Sequence, residues 1–202
     1  MVVMSDPFLK LYKDKTDRQQ RVGEWVINNI QPYLEHKNLD TVDLEIGCGH
    51  GHWLTSYSTI EQSKAFVGID LITKRIEKSQ SKKSKRQLPN IFFYKAEANE
   101  FVEYAGLTIE NTYIMYPDPW PKFKHHKRRL IQLPFLKLLA SKTSQSGKLF
   151  FMTDHQGYFD WSKDMINESD FWKLSNEPWP HDDTSYFREI LPENQYFSAA
   201  IL

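Results

Sequence analysis

The sequence predicts an α/β fold in which a mostly parallel sheet carries helices on both faces. Two observations indicate this class: short apolar strand segments and helices alternate five times along the chain, and distinctive polar residues follow directly after the strands. Such alternation is typical of parallel strands joined by crossover helices. The length of 202 residues fits a single domain with an ordinary hydrophobic core. We therefore expect one domain spanning residues 1–202.

Hydrophobic spacing and capping residues predict the individual elements. Apolar residues at helical spacing indicate an amphipathic helix over residues 19–33, within an N-terminal helical extension that we assign to residues 1–35. Thr73 suits the N-cap of a basic helix, and Pro134 suits the first turn of a later one. One further helix is expected to begin within 53–57. Four others are expected to cover 73–85, 97–104, 134–143 and 158–169. The seven expected strands are 42–46, 65–69, 90–94, 111–116, 148–153, 171–175 and 196–202.

Composition excludes several broad classes of protein. Hydrophobic residues make up 40% of the chain and charged residues 26%, which excludes disordered and collagen-like chains. The single cysteine, Cys48, excludes an internal disulfide and a cysteine-rich zinc module, and it fits a reducing compartment. The sequence begins without the apolar core of a signal peptide, and no apolar run approaches the roughly 20 residues that span a bilayer. We expect a cytoplasmic protein with no membrane association.

The distribution of charge is uneven although the formal net charge is zero. Residues 150–202 contain ten acidic and three basic side chains, so residues 1–149 carry the compensating excess of positive charge. Two dense basic stretches stand out, at 74–86 and 122–129. The asymmetry indicates either an anionic partner or solvated helix faces, and charge alone does not decide between them.

A glycine-rich turn over residues 45–51 follows the first expected strand, with glycine at alternate positions. Alternate glycines let the backbone turn tightly and approach a ligand closely. The third residue after Gly49 is His52, where a dinucleotide fingerprint has glycine, and no phosphate-loop lysine follows. Glu45, two residues before Gly47, repels phosphate and attracts a cation. S-adenosylmethionine fits these features, because it is an adenosine-containing cofactor with a cationic amino-acid tail and no phosphate.

Two further acidic residues follow the next two expected strands. Asp70 lies about twenty residues after the glycines, where a carboxylate can accept hydrogen bonds from both ribose hydroxyls. Glu97 follows the third strand and can accept the adenine amino group. An acid after a strand is often only a helix N-cap, but three acids in register with three strands favour a cofactor site. His50 and His52 lack the usual geometry of metal ligands, so we expect no metal.

The segment after the fourth expected strand combines prolines, an acid, an aromatic residue and a basic run. Prolines 117, 119 and 121 predict an extended, stiff loop that holds Asp118 where the sulfonium of the methyl donor belongs. Trp120 offers a flat apolar face for a base. The basic residues over 122–129 can neutralise phosphates. The alternative is a rigid turn followed by a solvated basic loop.

Two blocks in this segment have a specific pattern, Asp118-Pro119-Trp120-Pro121-Lys122 and His125-His126-Lys127-Arg128-Arg129-Leu130. Together they resemble the signature of the bacterial tRNA (guanine-N7-)-methyltransferases. The resemblance extends over roughly residues 40–160 and includes residues 45–51, 68–70, 97–98 and 153–154.

The resemblance implies a Rossmann-like methyltransferase fold with a mostly parallel seven-stranded sheet, S-adenosylmethionine as cofactor, and a guanosine in the variable loop of tRNA as substrate. Positions that match the family's cofactor-binding residues are Glu45, Asp70, Glu97 and Asp118, to which we add Gly47 and Gly49 of the turn. Positions that match its substrate-engaging residues are Lys122 and Asp154. No obligatory protein partner is expected.

The chain departs from the family pattern in three places. Glu97 stands where the family usually has aspartate, and residues 16–21 are a short counterpart of its basic opening. The family's late motif, a threonine with glutamate three residues later, matches Thr184 but meets Phe187 at the glutamate position. We expect Glu189 to replace that glutamate in part.

The prolines and acids of residues 176–194 disfavour a strand, so we expect this segment to fold as a loop over the cofactor end of the sheet. Thr184 can then donate a hydrogen bond to the cofactor's carboxylate or to Asp118.

The candidate catalytic residues follow from the chemistry of guanine N7. This atom carries a lone pair and no proton, so attack on a sulfonium methyl needs no general base. Positive charge moves onto the guanine, and Asp154 or Asp118 can stabilise it. Lys122 can bind a phosphate or guanine O6.

Two alternatives remain open at this stage. One is a methyltransferase of the same fold that acts on another RNA or on a small molecule. The other is an RNA-binding module that has lost catalysis, against which the four acids at 45, 70, 118 and 154 argue, because binding a polyanion does not favour them.

Overall fold

The computed structural model describes residues 15–181 and 195–202. Its centre is a seven-stranded sheet. The strands are β1 (Thr41–Ile46), β2 (Phe66–Asp70), β3 (Ile91–Lys95), β4 (Thr108–Met115), β5 (Thr143–Thr153), β6 (Trp172–Ser175) and β7 (Gln195–Ile201). Their order across the sheet is β3-β2-β1-β4-β5-β7-β6, and β7 runs antiparallel to the other six strands. The predicted mostly parallel, seven-stranded sheet is confirmed.

Helices connect the strands and cover both faces of the sheet. They are α1 (Lys15–Asn29), α2 (Gln31–Lys37), α3 (His52–Ile60), α4 (Thr73–Arg86), α5 (Ala98–Tyr104), α6 (Leu133–Ala140) and α7 (Gln156–Asn167), with a short 3₁₀ helix over Phe123–Arg128. Within these elements, no helix combines the length and apolar character needed to cross a membrane.

Each face of the sheet has its own buried core. On one face, apolar residues of β1 such as Leu44 pack with α1, α5, α6 and α7. On the other, α3 and α4 contribute Trp53, Leu54 and Ile76 to a cluster with Tyr113 of β4. Because β1 to β5 all run in the same direction, their carboxyl ends meet at one edge, where ligands of such sheets bind.

Several expected boundaries differ from the structure: β4 begins at Thr108 rather than at residue 111, and β5 begins at Thr143 rather than at residue 148. Three further differences have an identifiable local cause. The helix expected over 19–33 is divided at Ile30, because Pro32 in the first turn of α2 has no N–H to donate within a continuous helix. Thr73 is not the N-cap of α4: Ile72 occupies that position, and its N–H donates to the Asp70 carboxylate at 2.8 Å. The helix expected to reach residue 143 ends at Ala140, since Thr143 already pairs with Ile109 in the sheet.

Residues 176–181 have no regular secondary structure and are held by Trp179. Its ring lies 5.9 Å from those of Trp53 and Phe150, on the face that α3 covers. The rest of the segment expected to form a loop over the cofactor end, residues 182–194, lies outside the described residues, so that expectation stays a prediction.

Gly68 in β2 provides a test of the packing on the α3 side. A Cβ at this position would lie 2.7 Å from ring atoms of Phe93 and 3.0 Å from Cδ2 of Leu54. We predict that Gly68→Ala lowers the free energy of unfolding by about 1–3 kcal/mol, measured by urea denaturation. The matched control is Gly23→Ala in α1, where the nearest atom is 3.7 Å away and a gain of up to ~1 kcal/mol is expected. Equal effects of the two changes would contradict this account.

Candidate active site

A cleft of about 830 Å³ opens at the carboxyl edge of the parallel strands. Its wall includes Gly47 after β1, Asp70 at the end of β2, Glu97 after β3 and Asp118 after β4. The structure thus brings together residues that are far apart in sequence but follow neighbouring strands. The volume of the cleft lies within the range of small-molecule sites, roughly 300–1,000 Å³.

The glycine turn after β1 depends on a left-handed backbone. Gly47 has φ 78° and Gly49 has φ 55°, conformations that residues with a Cβ rarely adopt. The turn leaves space above Gly47, where an added Cβ would meet no atom within 4 Å. A ligand in the cleft can therefore approach the backbone at Gly47 closely.

The Asp70 carboxylate is 5% exposed and is held by backbone donors. Oδ2 accepts a hydrogen bond from the N–H of Gly49 at 3.1 Å, and Oδ1 accepts one from Ile72 at 2.8 Å. The guanidinium of Arg75 lies 3.3 Å from Oδ2. These contacts fix the carboxylate and join the glycine turn to the end of β2.

Glu97 has a structural role as well as a place in the cleft wall. It is the N-cap of α5, with Oε2 accepting from the N–H of Glu100 at 3.0 Å and Oε1 accepting from Asn99 at 2.9 Å. This is the capping function that an acid after a strand often has. Its expected contact with the adenine amino group stays a prediction.

The proline segment after β4 is not extended along its whole length, contrary to expectation. Tyr116 and Trp120 have φ of 50° and 45°, so the chain turns at both residues. Tertiary contacts set this path, because β4 and the 3₁₀ helix fix its two ends. Asp118 and Trp120 both line the cleft as a result.

Arg129, the last residue of the basic run, is a buried anchor and is only 3% exposed. Its Nε donates to the carbonyl of Pro119 at 2.9 Å, and its Nη1 donates to the carbonyl of Gly157 at 3.2 Å. The guanidinium also lies 5.3 Å from the ring of Trp161. Arg129 therefore stabilises the proline segment, and the expectation that the whole run faces phosphate is wrong for this residue.

The preceding basic residues remain near solvent and extend to the cleft. Lys127 and Arg128 line it, and the guanidinium of Arg128 lies 4.9 Å from the centre of the Trp120 ring. His125 approaches the same ring edge-on at 5.9 Å. Trp120 thus lines the cleft with the Arg128 guanidinium over one face of its ring.

Other expected site residues lie elsewhere. Lys122 and Asp154 are exposed and do not belong to the wall of this cleft. Thr184, with Phe187 and Glu189, lies outside the described residues. Cys48 is buried, and burial raises the pKa of its thiol.

Comparisons with known proteins show the family to which the chain belongs. Residues 40–198 match a family model described as "Putative methyltransferase". The tRNA (guanine-N(7)-)-methyltransferase of Wolbachia pipientis wMel is 30% identical over 157 residues, which cover 76% of this chain and 71% of that protein. The enzyme of the same name from Mesoplasma florum is 28% identical over 182 residues, covering 86% of this chain and 81% of that protein. The chain belongs to the tRNA (guanine-N7-)-methyltransferase family.

Solved structures of other methyltransferases share the fold. An S-adenosylmethionine-dependent methyltransferase from Aquifex aeolicus superposes with a TM-score of 0.57 at 13% identity, covering 95% of this chain and 100% of that one. An rRNA methylase from Streptococcus thermophilus gives a TM-score of 0.55 at 11% identity, covering 90% and 95%. The Rossmann-like methyltransferase fold is therefore confirmed. This methyltransferase uses S-adenosylmethionine as its cofactor.

Glu45 provides an independent test of whether the methyltransferase site fits this cofactor. Its side chain is 3% exposed, and Oε2 has no hydrogen-bond partner within the described part of the chain. Burial and the neighbouring charge of Asp70 raise the pKa of Glu45 to about 8. An unpartnered buried carboxyl suits a ligand with a cationic group, as in the amino-acid tail of S-adenosylmethionine. Glu45 is not itself in the cleft wall, so this contact stays a prediction.

Sequence reasoning missed three arginines in the wall of the methyltransferase cleft, Arg18, Arg21 and Arg75. Arg18 reaches it from α1 and pairs with Glu100 of α5 at 2.6 Å. In the sequence, Arg75 belongs to the basic stretch 74–86, which indicates either an anionic partner or a solvated helix face. Its position five residues after Asp70, in the first turn of the next helix, was the signal for a role inside the site. Among the described residues, no cluster of histidine, cysteine or carboxylate side chains could hold a metal ion.

We predict that Glu45→Gln stabilises the cofactor-free methyltransferase near pH 7–8. With a folded pKa of about 8 and an ordinary value of 4.5, Glu45 keeps its proton in the folded state while the unfolded chain ionises. The free energy of unfolding therefore falls as pH rises from about 4.5 to about 8, by up to about 5 kcal/mol in total at roughly 1.4 kcal/mol per pKa unit. Glutamine removes this loss.

Urea denaturation at several pH values between 4.5 and 8.5 measures the effect. The matched control is Glu103→Gln, which changes an exposed glutamate of α5 and should leave the pH dependence as in the wild type. A Glu45→Gln variant with the wild-type pH dependence would show that Glu45 is ionised in the folded protein.

Proposed function

We propose that this methyltransferase transfers the methyl group of S-adenosylmethionine to N7 of a guanosine in tRNA, in the variable loop. The proposal rests on one observation: residues of the proline segment and of the basic run form part of the wall of the cofactor cleft. Relatives from several bacteria with which the chain shares 26–33% identity are named tRNA (guanine-N(7)-)-methyltransferases.

In this proposal, the ends of β1 to β3 hold the cofactor. Asp70 accepts hydrogen bonds from the ribose hydroxyls, Glu97 accepts the adenine amino group, and Glu45 balances the charge of the amino-acid tail. The backbone at Gly47 and Gly49 leaves room for the ligand. When bound, the cofactor supplies an electrophilic methyl group on a sulfonium.

Asp118 and Trp120 would position the guanine beside that methyl group. The N7 lone pair of guanine would accept the methyl group, and the electrons of the bond that holds this group to the cofactor would stay with the cofactor. No proton moves, so the residues of the chain act by orientation and electrostatics. The positive charge that leaves sulfur develops on guanine, where the Asp118 carboxylate stabilises it. The position of Asp118 in the cleft wall supports this role.

Asp154 and Lys122 would act at the rim rather than within the cleft. Both side chains are exposed, at the end of β5 and at the start of the 3₁₀ helix. Asp154 can interact with the cationic guanine or with its ribose from the side, and Lys122 can bind an adjoining phosphate or guanine O6. Thr184 remains a candidate substrate contact on sequence grounds alone.

The surface that binds RNA would extend from the basic segment towards α4. Lys82 donates to the carbonyl of His50 at 2.7 Å, and Lys83 lies 4.6 Å from the centre of the Phe92 ring. These two lysines therefore have structural partners as well as charge. Lys78 and Lys85 of the same helix are more exposed than these two and are better placed to reach phosphate.

The direct test is methyl transfer by the purified protein to unmodified bulk tRNA, with labelled cofactor and nucleoside analysis of the product. We expect N7-methylguanosine as the labelled nucleoside. Asp118→Asn should lower kcat at saturating tRNA about 100-fold, because the amide cannot stabilise the cationic guanine. Asp160→Asn, an exposed change on α7, is the matched control and should leave kcat unchanged. A different methylated nucleoside, or no transfer to tRNA, would refute the proposal.

A further inference from the structure

Phe123 is the most exposed large hydrophobic side chain in the described part of the chain, with 86% of its surface accessible. It lies at the start of the 3₁₀ helix over Phe123–Arg128. Its neighbours in sequence include Lys122 and Lys124, and no acidic residue occurs from 122 to 129. An aromatic ring so exposed within a basic surface contributes little to the core, so its place needs another explanation.

The orientation of Phe123 is supported by a row of rings that leads into the core. Residues three apart on a 3₁₀ helix share a face, and the ring centre of His126 lies 5.4 Å from that of Phe123. His126 in turn lies 5.5 Å from the ring of Trp161, whose Nε1 donates to the carbonyl of Ile131 at 2.9 Å. Phe123 thus forms the outer end of a row of edge-on ring contacts.

The backbone that carries Phe123 is also fixed. The carbonyl of His126 accepts a hydrogen bond from Gln132 at 2.9 Å, and Arg129 joins the end of the 3₁₀ helix to Pro119. Phe123 is therefore presented to solvent on a rigid support. Such a ring loses little conformational freedom when a flat ligand stacks on it.

The distance between Phe123 and the cleft indicates which part of a bound nucleic-acid strand the ring can contact. Lys127, four residues later, lines the cleft, and a 3₁₀ helix rises about 2 Å per residue, so some 8 Å separate the two along the helix axis. Stacked nucleotides repeat about every 3.4 Å along a strand. A strand whose guanosine enters the cleft would therefore bring a base one to three nucleotides away within reach of Phe123.

We propose that Phe123 stacks on an unpaired base of the bound RNA, close to the guanosine that enters the cleft. The inference rests on the proposed function and adds a base-stacking contact to it. Positive side chains beside an aromatic ring are the combination that binds single-stranded nucleic acid, the cations holding phosphates and the ring holding a base face. Stacking of this kind is tolerant of sequence, so Phe123 would contribute affinity and positioning rather than recognition of one base.

The test compares Phe123→Ala, Phe123→Leu and Phe123→Trp in equilibrium binding of unmodified tRNA, with S-adenosylhomocysteine present so that no transfer occurs. We expect the alanine variant to bind about 5- to 100-fold more weakly. The tryptophan variant should bind as tightly as the wild type. The leucine variant should resemble alanine, because it keeps an apolar side chain but lacks an aromatic face.

Two controls separate stacking from charge and from general surface effects. Lys124→Ala should reduce the logarithmic salt slope of tRNA binding by about 1, whereas Phe123→Ala should leave that slope unchanged. Ile60→Ala removes an exposed apolar side chain from α3 and should not affect tRNA binding. Thermal melting and cofactor titration should be unchanged in Phe123→Ala, since the ring is outside both the core and the cleft wall.

The kinetic readout distinguishes this inference from the proposed function. In methyl transfer, Phe123→Ala should raise KM for tRNA and leave kcat nearly unchanged. If the wild-type protein makes N7-methylguanosine and Phe123→Ala has the wild-type KM for tRNA, the stacking contact is refuted and the proposed function is not. If Phe123→Leu binds tRNA as tightly as the wild type, or if Phe123→Ala changes only the oligomeric state, Phe123 would instead be assigned to an apolar protein contact. Wild-type protein without transfer to tRNA would refute the proposed function first.

Discussion

The hydrogen bonds of the Asp70 carboxylate hold together the edge of the sheet on which the cofactor cleft depends. One oxygen accepts from Gly49 in the turn after β1, and the other accepts from Ile72 just before α4. Two loops that follow neighbouring parallel strands are thereby fixed relative to one another before any ligand binds. Because the carboxylate is already oriented, ligand binding loses little free energy to reorganisation of this side chain.

The neighbouring Glu45 shows the cost of assembling acids at one edge. Its carboxyl is buried near Asp70 and has a raised pKa, while Arg75 offers a positive charge to Asp70. A buried acid without a hydrogen-bond partner destabilises the folded chain unless a cation neutralises it. Local destabilisation of this kind is typical of sites built for a ligand rather than for stability.

Much of the site could be predicted from the sequence because parallel strands impose a simple rule. Residues that follow successive strands converge at one edge, so Gly47, Asp70, Glu97 and Asp118 could be grouped without coordinates. Arg129 could not be separated from its basic neighbours, since its burial depends on Trp161 and Gly157, about thirty residues away.

Helix boundaries were predicted less well for a related reason. Thr73 has the right chemistry for an N-cap, but α4 begins one residue earlier, because the carbonyl of Ile72 already accepts from the N–H groups of Arg75 and Ile76. The row of rings behind Phe123 likewise depends on α7, whose Trp161 supports it from a distant part of the chain.

The measurement that tests the central claim most directly is calorimetric titration of S-adenosylmethionine into wild type and Asp70→Ala. If Asp70 holds the ribose, the variant loses charge-assisted hydrogen bonds worth roughly 1.5–3 kcal/mol, which weakens binding about 10- to 150-fold. Asp160→Ala on the exposed face of α7 should bind as the wild type does. Thermal melting would verify that both variants are folded. Unchanged cofactor affinity in a folded Asp70→Ala protein would contradict the assignment of this cleft.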